Sequence, residues 1–509
     1  MPPPPPSLRT PIIYAPRPLG ALAFRLKYPD ANRKWNEKVK TLDTDNQYDL
    51  AVIGAGSAGF SAAITGAELG ANVALIGEGT IGGTCVNVGC VPSKNLIRAM
   101  ESLHHAKAAQ RFSGIRGDAE ITDWRAVIAQ KDEIVTDLRQ GKYIDVLPSY
   151  NNIAYIDGSA GLGSDVIAVN GEKLEVGKII ITTGASPAVP SIPGIEDVSF
   201  LTSTTALELD QLPKSLLVIG GGYIGVELAQ MFARAGVKVT IVCRSRLLPH
   251  AEPEISDALA DFLSDEGVTI LRGVSYQSIR PIRNGVALSL TIEGKDKVVE
   301  AEEVLASVGR SPNTDGLGLG NRGVDLRPDG GIQVDEYLRT TNPDIYAAGD
   351  VTGRDLYVYM AAYGAKLAAR NALNGDTDKY DATAMPAVTF TDPQVASVGL
   401  TEKDARDRGK DVKTSVLGLE HVPRALVARD TRGLIKLVAD KTTDRLVGAH
   451  MIAPEAGDSI QTATIAIKSE MTAADLGDMI FPYLTMVEGL KLAAQTINKD
   501  VSKLSCCAG

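Results

Sequence analysis

The sequence predicts an α/β protein built on two doubly wound, Rossmann-like nucleotide-binding units. Two observations carry this. A strand-length apolar run leading into G-x-G-x-x-G and a small-residue helix starts at Tyr48 and again at Ser215, and in both copies a second apolar run follows the helix. The size agrees: 509 residues exceed the usual ~150-residue domain several times over. Hydrophobic residues at 44% and charged residues at 22% give the balance of a soluble globular protein with a large core. Fifty-two basic against sixty-two acidic residues leave a net charge of −10, which disfavours a nucleic-acid binder. No apolar run reaches the ~18 residues of a membrane span. Five cysteines are too few to staple so long a chain.

Taken in order, residues 1–47 stand apart. Nine of the 26 prolines fall within the first 29 residues, so this stretch predicts an extended extension without helix or sheet. Arg9, Arg17, Arg25 and Lys27 precede the first acid, Asp30. A targeting role is disfavoured because Leu19–Phe24 is shorter than the ~7–15 residues of a secretory core and Ser7 is the only serine there.

From Tyr48 the pattern changes. Tyr48–Ile53 reads as a strand, Gly54, Gly56 and Gly59 follow, Ser57 to Leu69 reads as a helix, and Asn72–Ile76 as the next strand, ending near Glu78. Gly54 permits the tight turn, Gly56 lets backbone N–H groups approach a pyrophosphate, and Gly59 lets helix and strand pack closely. Glu78 lies about 20 residues on, placed to bind a ribose hydroxyl. In the second copy Ser215–Ile219 is the strand, Gly220, Gly222 and Gly225 form the fingerprint, Val226–Arg234 continues as helix, and Val237–Val242 is the next strand. Here Arg244, with Arg246 beyond it, replaces the acid. Arginine can hold a 2′-phosphate, so this site predicts NADPH over NADH. Ile345–Asp350 adds a short apolar strand ending in Ala348-Gly349-Asp350.

Four of the five cysteines form two close pairs, Cys85/Cys90 and Cys506/Cys507. Cys85-Val-Asn-Val-Gly-Cys90 leads into a helix with Pro92 and Ser93 in its first turn. A free thiol of pKa ~8.5 is only about 3% thiolate at pH 7; a helix N-terminus and Lys94 would raise that fraction. The spacing allows the pair to cycle between dithiol and disulfide. Two structural cysteines or part of a zinc site are the alternatives, but no second pair with metal spacing lies nearby and His104 and His105 read as a helical surface pair. Cys243, ending a strand, reads as a small buried residue.

The stretch Gly82-Gly83-Thr84-Cys85-Val86-Asn87-Val88-Gly89-Cys90-Val91-Pro92-Ser93-Lys94 resembles the redox-active segment of the flavin disulfide reductases. With both fingerprints and Ala348-Gly349-Asp350, the resemblance covers about residues 48–509. It implies FAD in the first site, held by Gly54, Gly56, Gly59, Glu78, Thr84, Lys94 and Asp350. NADPH would take the second, at Gly220, Gly222, Gly225, Arg244 and Arg246. It makes Cys90 the thiol facing the flavin, Cys85 the interchange thiol, Lys94 a partner of Glu227, and Tyr223 a cover for the nicotinamide pocket. The implied division is 1–47 extension, 48–192 and 316–384 FAD-binding, 193–315 NADPH-binding, and 385–509 an α+β dimerisation domain, in a homodimer that shares its active sites.

Two features choose within the family. Reducing a disulfide calls for an acid/base group, for which histidine is suited at neutral pH. Family members acting on disulfides carry a His-Pro…Glu segment near the C-terminus. The matching stretch here is Phe481-Pro482-Tyr483…Glu488, and no histidine follows His450. The chain also ends Ser505-Cys506-Cys507-Ala508-Gly509, two adjacent thiols able to grip a soft cation. Both features resemble the mercuric reductases of that family. The resemblance implies reduction of Hg(II), presented as thiol complexes, by NADPH through FAD. Cys506 and Cys507 of one subunit would pass the ion to Cys85 and Cys90 of the other, assisted by Tyr143 and Tyr483. Free thiols and NADPH imply the cytoplasm. Two departures stand against the resemblance. Residues 1–47 have no cysteine, so the Cys-x-x-Cys module of many relatives is not expected. The second fingerprint, with Tyr223, is closer to the disulfide-reducing members. A large thioredoxin reductase predicts histidine at Tyr483; a flavoprotein that only sequesters soft metals would need no hydride source.

Overall fold

The computed structural model describes residues 47–164 and 166–503. The predicted N-terminal extension up to residue 46 and the Cys506/Cys507 pair lie outside the described residues.

The first unit opens with strand β1 (Tyr48–Ile53), helix α1 (Ser57–Glu68) and strand β2 (Val73–Gly77). Two further helices follow, α2 (Gly83–Val88) and α3 (Cys90–Ala108). Strands β3 (Ile153–Asp157) and β4 (Val176–Ile181) join the same sheet. The second unit runs from β5 (Ser215–Ile219) through α4 (Tyr223–Arg234), β6 (Lys238–Cys243), α5 (Pro253–Asp265) and β7 (Thr269–Arg272) to β8 (Glu303–Ala306). The chain then returns with β9 (Ile345–Ala347) and α6 (Val358–Asn374).

The first sheet has the order β9-β4-β1-β2-β3 and the second β7-β6-β5-β8, both parallel throughout. Helices cover such sheets, so their strands are buried on both faces and read as continuous apolar runs. Leu50, Ala51 and Val52 in β1 and Leu217, Val218 and Ile219 in β5 are fully buried. In each sheet the chain moves one way from the central strand and later returns on its other side. The carboxyl ends of β1 and β5 therefore sit at the switch point where a crevice opens.

The C-terminal part is an antiparallel sheet of β10 (Pro386–Thr389), β11 (Gln394–Gly399), β12 (Val412–Gly418), β13 (Leu434–Asp440) and β14 (Leu446–Ala453). Its order is β10-β11-β14-β13-β12, with α7 (Ala456–Lys468) and α8 (Glu488–Thr496) packed on it around a shared apolar core.

Polar groups dock this sheet to the second unit. Buried Lys436 pairs with Glu252 at 3.1 Å, Glu254 at 2.9 Å and Glu402 at 3.0 Å. Along α4, Glu227, Gln230 and Arg234 lie on one face and all reach residues 390–392: Glu227 Oε1 accepts the Phe390 N–H, Gln230 Oε1 accepts the Asp392 N–H, and Arg234 pairs with the Asp392 carboxylate. His105, expected as plain helical surface, lies 3.3 Å from Asp392. That carboxylate already neutralises arginines, and its charge also draws in the imidazole and raises its pKa through a hydrogen bond. Cys243 is buried at the end of β6, as expected, its Sγ donating to Ser245 O at 3.3 Å.

Candidate active site

The glycines of the first fingerprint are dictated by contact. Gly54 has φ +116°, and a Cβ there would lie 2.4 Å from Thr182 O; a Cβ on Gly59 would lie 1.7 Å from Gly54 O. Only glycine lets α1 descend this close to β1. Thr182 closes the junction by donating its hydroxyl to the carbonyls of Ile53 and Gly54, both at 3.0 Å. Gly56 precedes α1 in extended conformation, and a Cβ there would touch only Gly83 Cα at 3.5 Å, so the space above its backbone is open. This open cradle at a helix N-terminus fits a pyrophosphate.

A cavity of about 490 Å³ begins at this cradle. Glu78, just past β2, and Thr84 in α2 line it, as do Cys85, Cys90, Lys94, Tyr223, Glu227, Arg310 and Asp350. The fold thus brings the Cys85/Cys90 pair and most of the residues expected around the first fingerprint's cofactor to one chamber. Asp350 follows Gly349, whose φ is +80°, and burial raises its carboxyl pKa, opposed by Arg310, whose Nε is 3.7 Å away.

The cysteines occupy adjoining helices. Cys85 lies in α2, a short helix that sequence reasoning missed, and Cys90 is the first residue of α3. Both are free. Their acidities are split. The hydrogen bond with Cys90, then burial, pushes the Cys85 thiol up, whereas the hydrogen bond from Cys85, aided by the charge of Lys94, brings Cys90 down to about 7. Cys90 is thus the more acidic thiol of the pair and Cys85 the one that keeps its proton.

Lys94 is one turn further along α3. Its Nζ lies 2.7 Å from Glu227 Oε2 and 4.8 Å from the centre of the Phe390 ring. Tyr143 sits behind the pair: its hydroxyl is 3.0 Å from Ser57 Oγ, its ring meets Phe60 edge-on at 4.9 Å, and burial holds its phenol protonated.

The second fingerprint repeats the steric logic. Gly220 has φ +115°, with a Cβ 2.4 Å from Ser307 O, and a Cβ on Gly225 would lie 2.5 Å from Gly220 O. Gly222, the residue before α4, faces open space. Arg244 is exposed just past β6; Arg246 donates to the carbonyls of Pro249 and Ala251. Arg244 is therefore the less committed of the two guanidiniums.

Tyr483 is not brought to this chamber. It is half exposed in a run that includes Met479, Ile480 and Leu484, with Ile480 almost wholly exposed. Glu488 is buried and accepts the Leu484 N–H at 3.2 Å. None of the five histidines lines the cavity. Sequence reasoning also missed Arg310, Tyr357, Tyr359 and Phe390. The alternating tyrosines shortly after Asp350 were the one readable signal among these.

Two family models match the chain: pyridine nucleotide-disulphide oxidoreductase over residues 48–369, and the dimerisation domain of the same family over residues 385–494. The chain belongs to the pyridine nucleotide-disulphide oxidoreductase family. It is an oxidoreductase that uses FAD and NADPH, and its C-terminal part is a dimerisation module. It is 47% identical to a mercuric reductase of Staphylococcus aureus over 476 residues, 93% of this chain and 87% of the relative. It is also 47% identical to a mercuric reductase of Streptomyces lividans, covering 92% of this chain and all of the relative. Among solved structures, the Cu(II) complex of the HOCl-induced flavoprotein disulfide reductase RclA from Escherichia coli superposes with a TM-score of 0.78 at 33% identity, over 89% of this chain and all of that one. No helix among the described residues is long and apolar enough to cross a membrane.

Proposed function

We propose that this enzyme reduces Hg(II), presented as a thiolate complex, to elemental mercury at the expense of NADPH. The observation that carries this is the pairing of a thiolate–thiol couple with a cavity that has no histidine. Cys85 and Cys90 can bind a soft cation or attack a disulfide, but no described imidazole stands ready to protonate a leaving thiolate, and none follows His450 in the sequence. Hg(II) reduction needs no such proton shuttle. The more acidic Cys90 attacks first by associative exchange, taking the part that the resemblance gives to Cys85; Cys85 follows, giving its proton to a departing ligand, and both incoming thiols are released. Two electrons then reach the metal, both Hg–S bonds break, and the sulfurs remain as thiolates, so no disulfide forms. FAD, when bound, supplies the passage for the two electrons between NADPH and this side of the cavity. Lys94 keeps Cys90 ionised for the first attack, and Glu227 fixes Lys94.

The residues that would hold the cofactors follow from the cradles: Gly54, Gly56, Gly59, Glu78, Thr84, Lys94 and Asp350 for FAD, and Gly220, Gly222, Gly225, Arg244 and Arg246 for NADPH. The corresponding division is 48–192 with 316–384, 193–315, and 385–509. In a homodimer, Tyr483 and the Cys506/Cys507 tail of one subunit would serve the cavity of the other, with Tyr143 contributing from within. Free thiols and NADPH suit the cytoplasm.

The test is NADPH oxidation by the purified protein with HgCl₂ in excess small thiol, beside oxidised glutathione, lipoamide and thioredoxin. Oxidation with Hg(II) alone is expected. Activity with a disulfide only would contradict the reading and assign the tail to a protein partner.

A further inference from the structure

One buried helix face carries two cations. The helix Trp124–Arg139 turns Trp124, Ile128, Lys131, Val135 and Arg139 inward, at the spacing of a single face. Charges on such a face are costly unless partners meet them. Lys131 meets Asp132 at 2.7 Å and Glu208 at 2.9 Å and donates to the carbonyl of Leu207. Arg139, also buried, reaches the redox segment: its Nη1 donates to Asn87 Oδ1 at 3.1 Å. The helix dipole favours a cation in the last turn, but it does not call for burial.

Asn87 is buried in α2, between Cys85 and Cys90. Its Nδ2 donates to the carbonyls of Ile81 and Gly83, both at 2.9 Å. The turn leading into Cys85 is thus laced to the residue two positions past it. The charge on Arg139 strengthens the lacing by polarising the amide. These bonds matter because the two thiols stand in separate helices. Helix α2 ends at Val88, and Gly89, where a Cβ would lie 2.9 Å from Thr84 O, separates it from Cys90 at the start of α3. With no S–S bond between them, the place of Cys85 beside Cys90 depends on what holds α2. We propose that Arg139 and Asn87 are positioning residues that keep the reduced thiols of Cys85 and Cys90 together, an inference that rests on the reading of this pair as the reacting one. The more closely two thiols are held, the higher their effective concentration, and the more stable the disulfide they form or the chelate they make with a soft cation. Loosening α2 lowers both.

The experiment uses the FAD-loaded enzyme as wild type, Arg139→Met, Arg139→Lys, Asn87→Ala and Lys131→Met, with flavin content as the check on folding. Each is brought to equilibrium, without NADPH or air, at set ratios of oxidised to reduced dithiothreitol. In this exchange Cys85 and Cys90 give up two hydrogens and form one S–S bond, while the S–S bond of oxidised dithiothreitol breaks and takes the hydrogens up. Acid quenching, alkylation and mass spectrometry of the Cys85/Cys90 peptide give the fraction of disulfide. Arg139→Met and Asn87→Ala are expected to lower the equilibrium constant for disulfide formation about 3- to 10-fold, and Arg139→Lys, which keeps a charged donor, to lower it less. Lys131→Met removes a buried cation from the same face but away from Asn87, and should keep the wild-type constant. An unchanged or raised constant in Arg139→Met or Asn87→Ala overturns the proposal, as does an equal fall in Lys131→Met, which would mark a general loosening. A wild type that forms no Cys85–Cys90 disulfide at any ratio would overturn the reading of the pair, and the proposal with it.

Discussion

The acidity of Cys90 is set by three neighbours with opposing effects. The Cys85 hydrogen bond and the Lys94 charge lower its pKa, while burial and the Glu227 charge raise it, leaving it at about 7. Below that value Cys90 is protonated and a poor nucleophile; above it the thiolate is present, so alkylation of the reduced enzyme should rise with pH through a midpoint near 7. Lys94→Met removes a lowering charge and should move the midpoint up, whereas Glu227→Gln removes a raising one and should move it down. Alkylation against pH, read by mass spectrometry of the Cys90 peptide, checks both; shifts of the same sign would contradict this electrostatic account. The sequence revealed Cys90 and Lys94 as one turn of a helix. It could not reveal Phe390, whose backbone holds Glu227 from 163 residues further along.

At the scale of elements, the two strand–turn–helix units were legible because their requirements are local: apolar runs buried on both faces, and glycines where a Cβ has no room. The limits of α1 and β5 follow the sequence within a residue. Helix α2 was illegible, since six residues with one glycine and three β-branched side chains have little helical propensity; contact between Gly83 and Gly56 fixes it instead. The glycines also separate stability from binding. A methyl on Gly225 would be 2.5 Å from Gly220 O, whereas one on Gly222 meets nothing within 4 Å. Gly225→Ala should destabilise the protein by about 1–3 kcal/mol, seen as a lower melting temperature. Gly222→Ala should melt like the wild type but raise the KM for NADPH, because its methyl enters the coenzyme's path. Equal melting temperatures for the two variants would sink this distinction.

At the scale of the molecule, one chain carries the cavity, and Tyr483 lies elsewhere on it, in an exposed apolar run within the module that matches the dimerisation domain. Nothing in one chain's sequence could show which surface a second copy completes. If sites are shared, mixed dimers should complement: a Cys85→Ala/Cys90→Ala protomer paired with a Cys506→Ala/Cys507→Ala protomer keeps one intact site. Co-expressed in equal amounts, these pair at random, half of the dimers are mixed, and turnover on Hg(II) held by a competing dithiol should recover to about a quarter of wild type, where each homodimer is inactive; absence of recovery would place each site within one chain. The account as a whole is tested most directly by stoichiometry. With excess thiol and no air, elemental mercury carried off in a gas stream is compared with NADPH lost at ~340 nm. The account predicts one mercury atom released per NADPH oxidised, and none from Cys90→Ala. NADPH consumption without mercury release, or Hg(II) held without NADPH consumption, would contradict it.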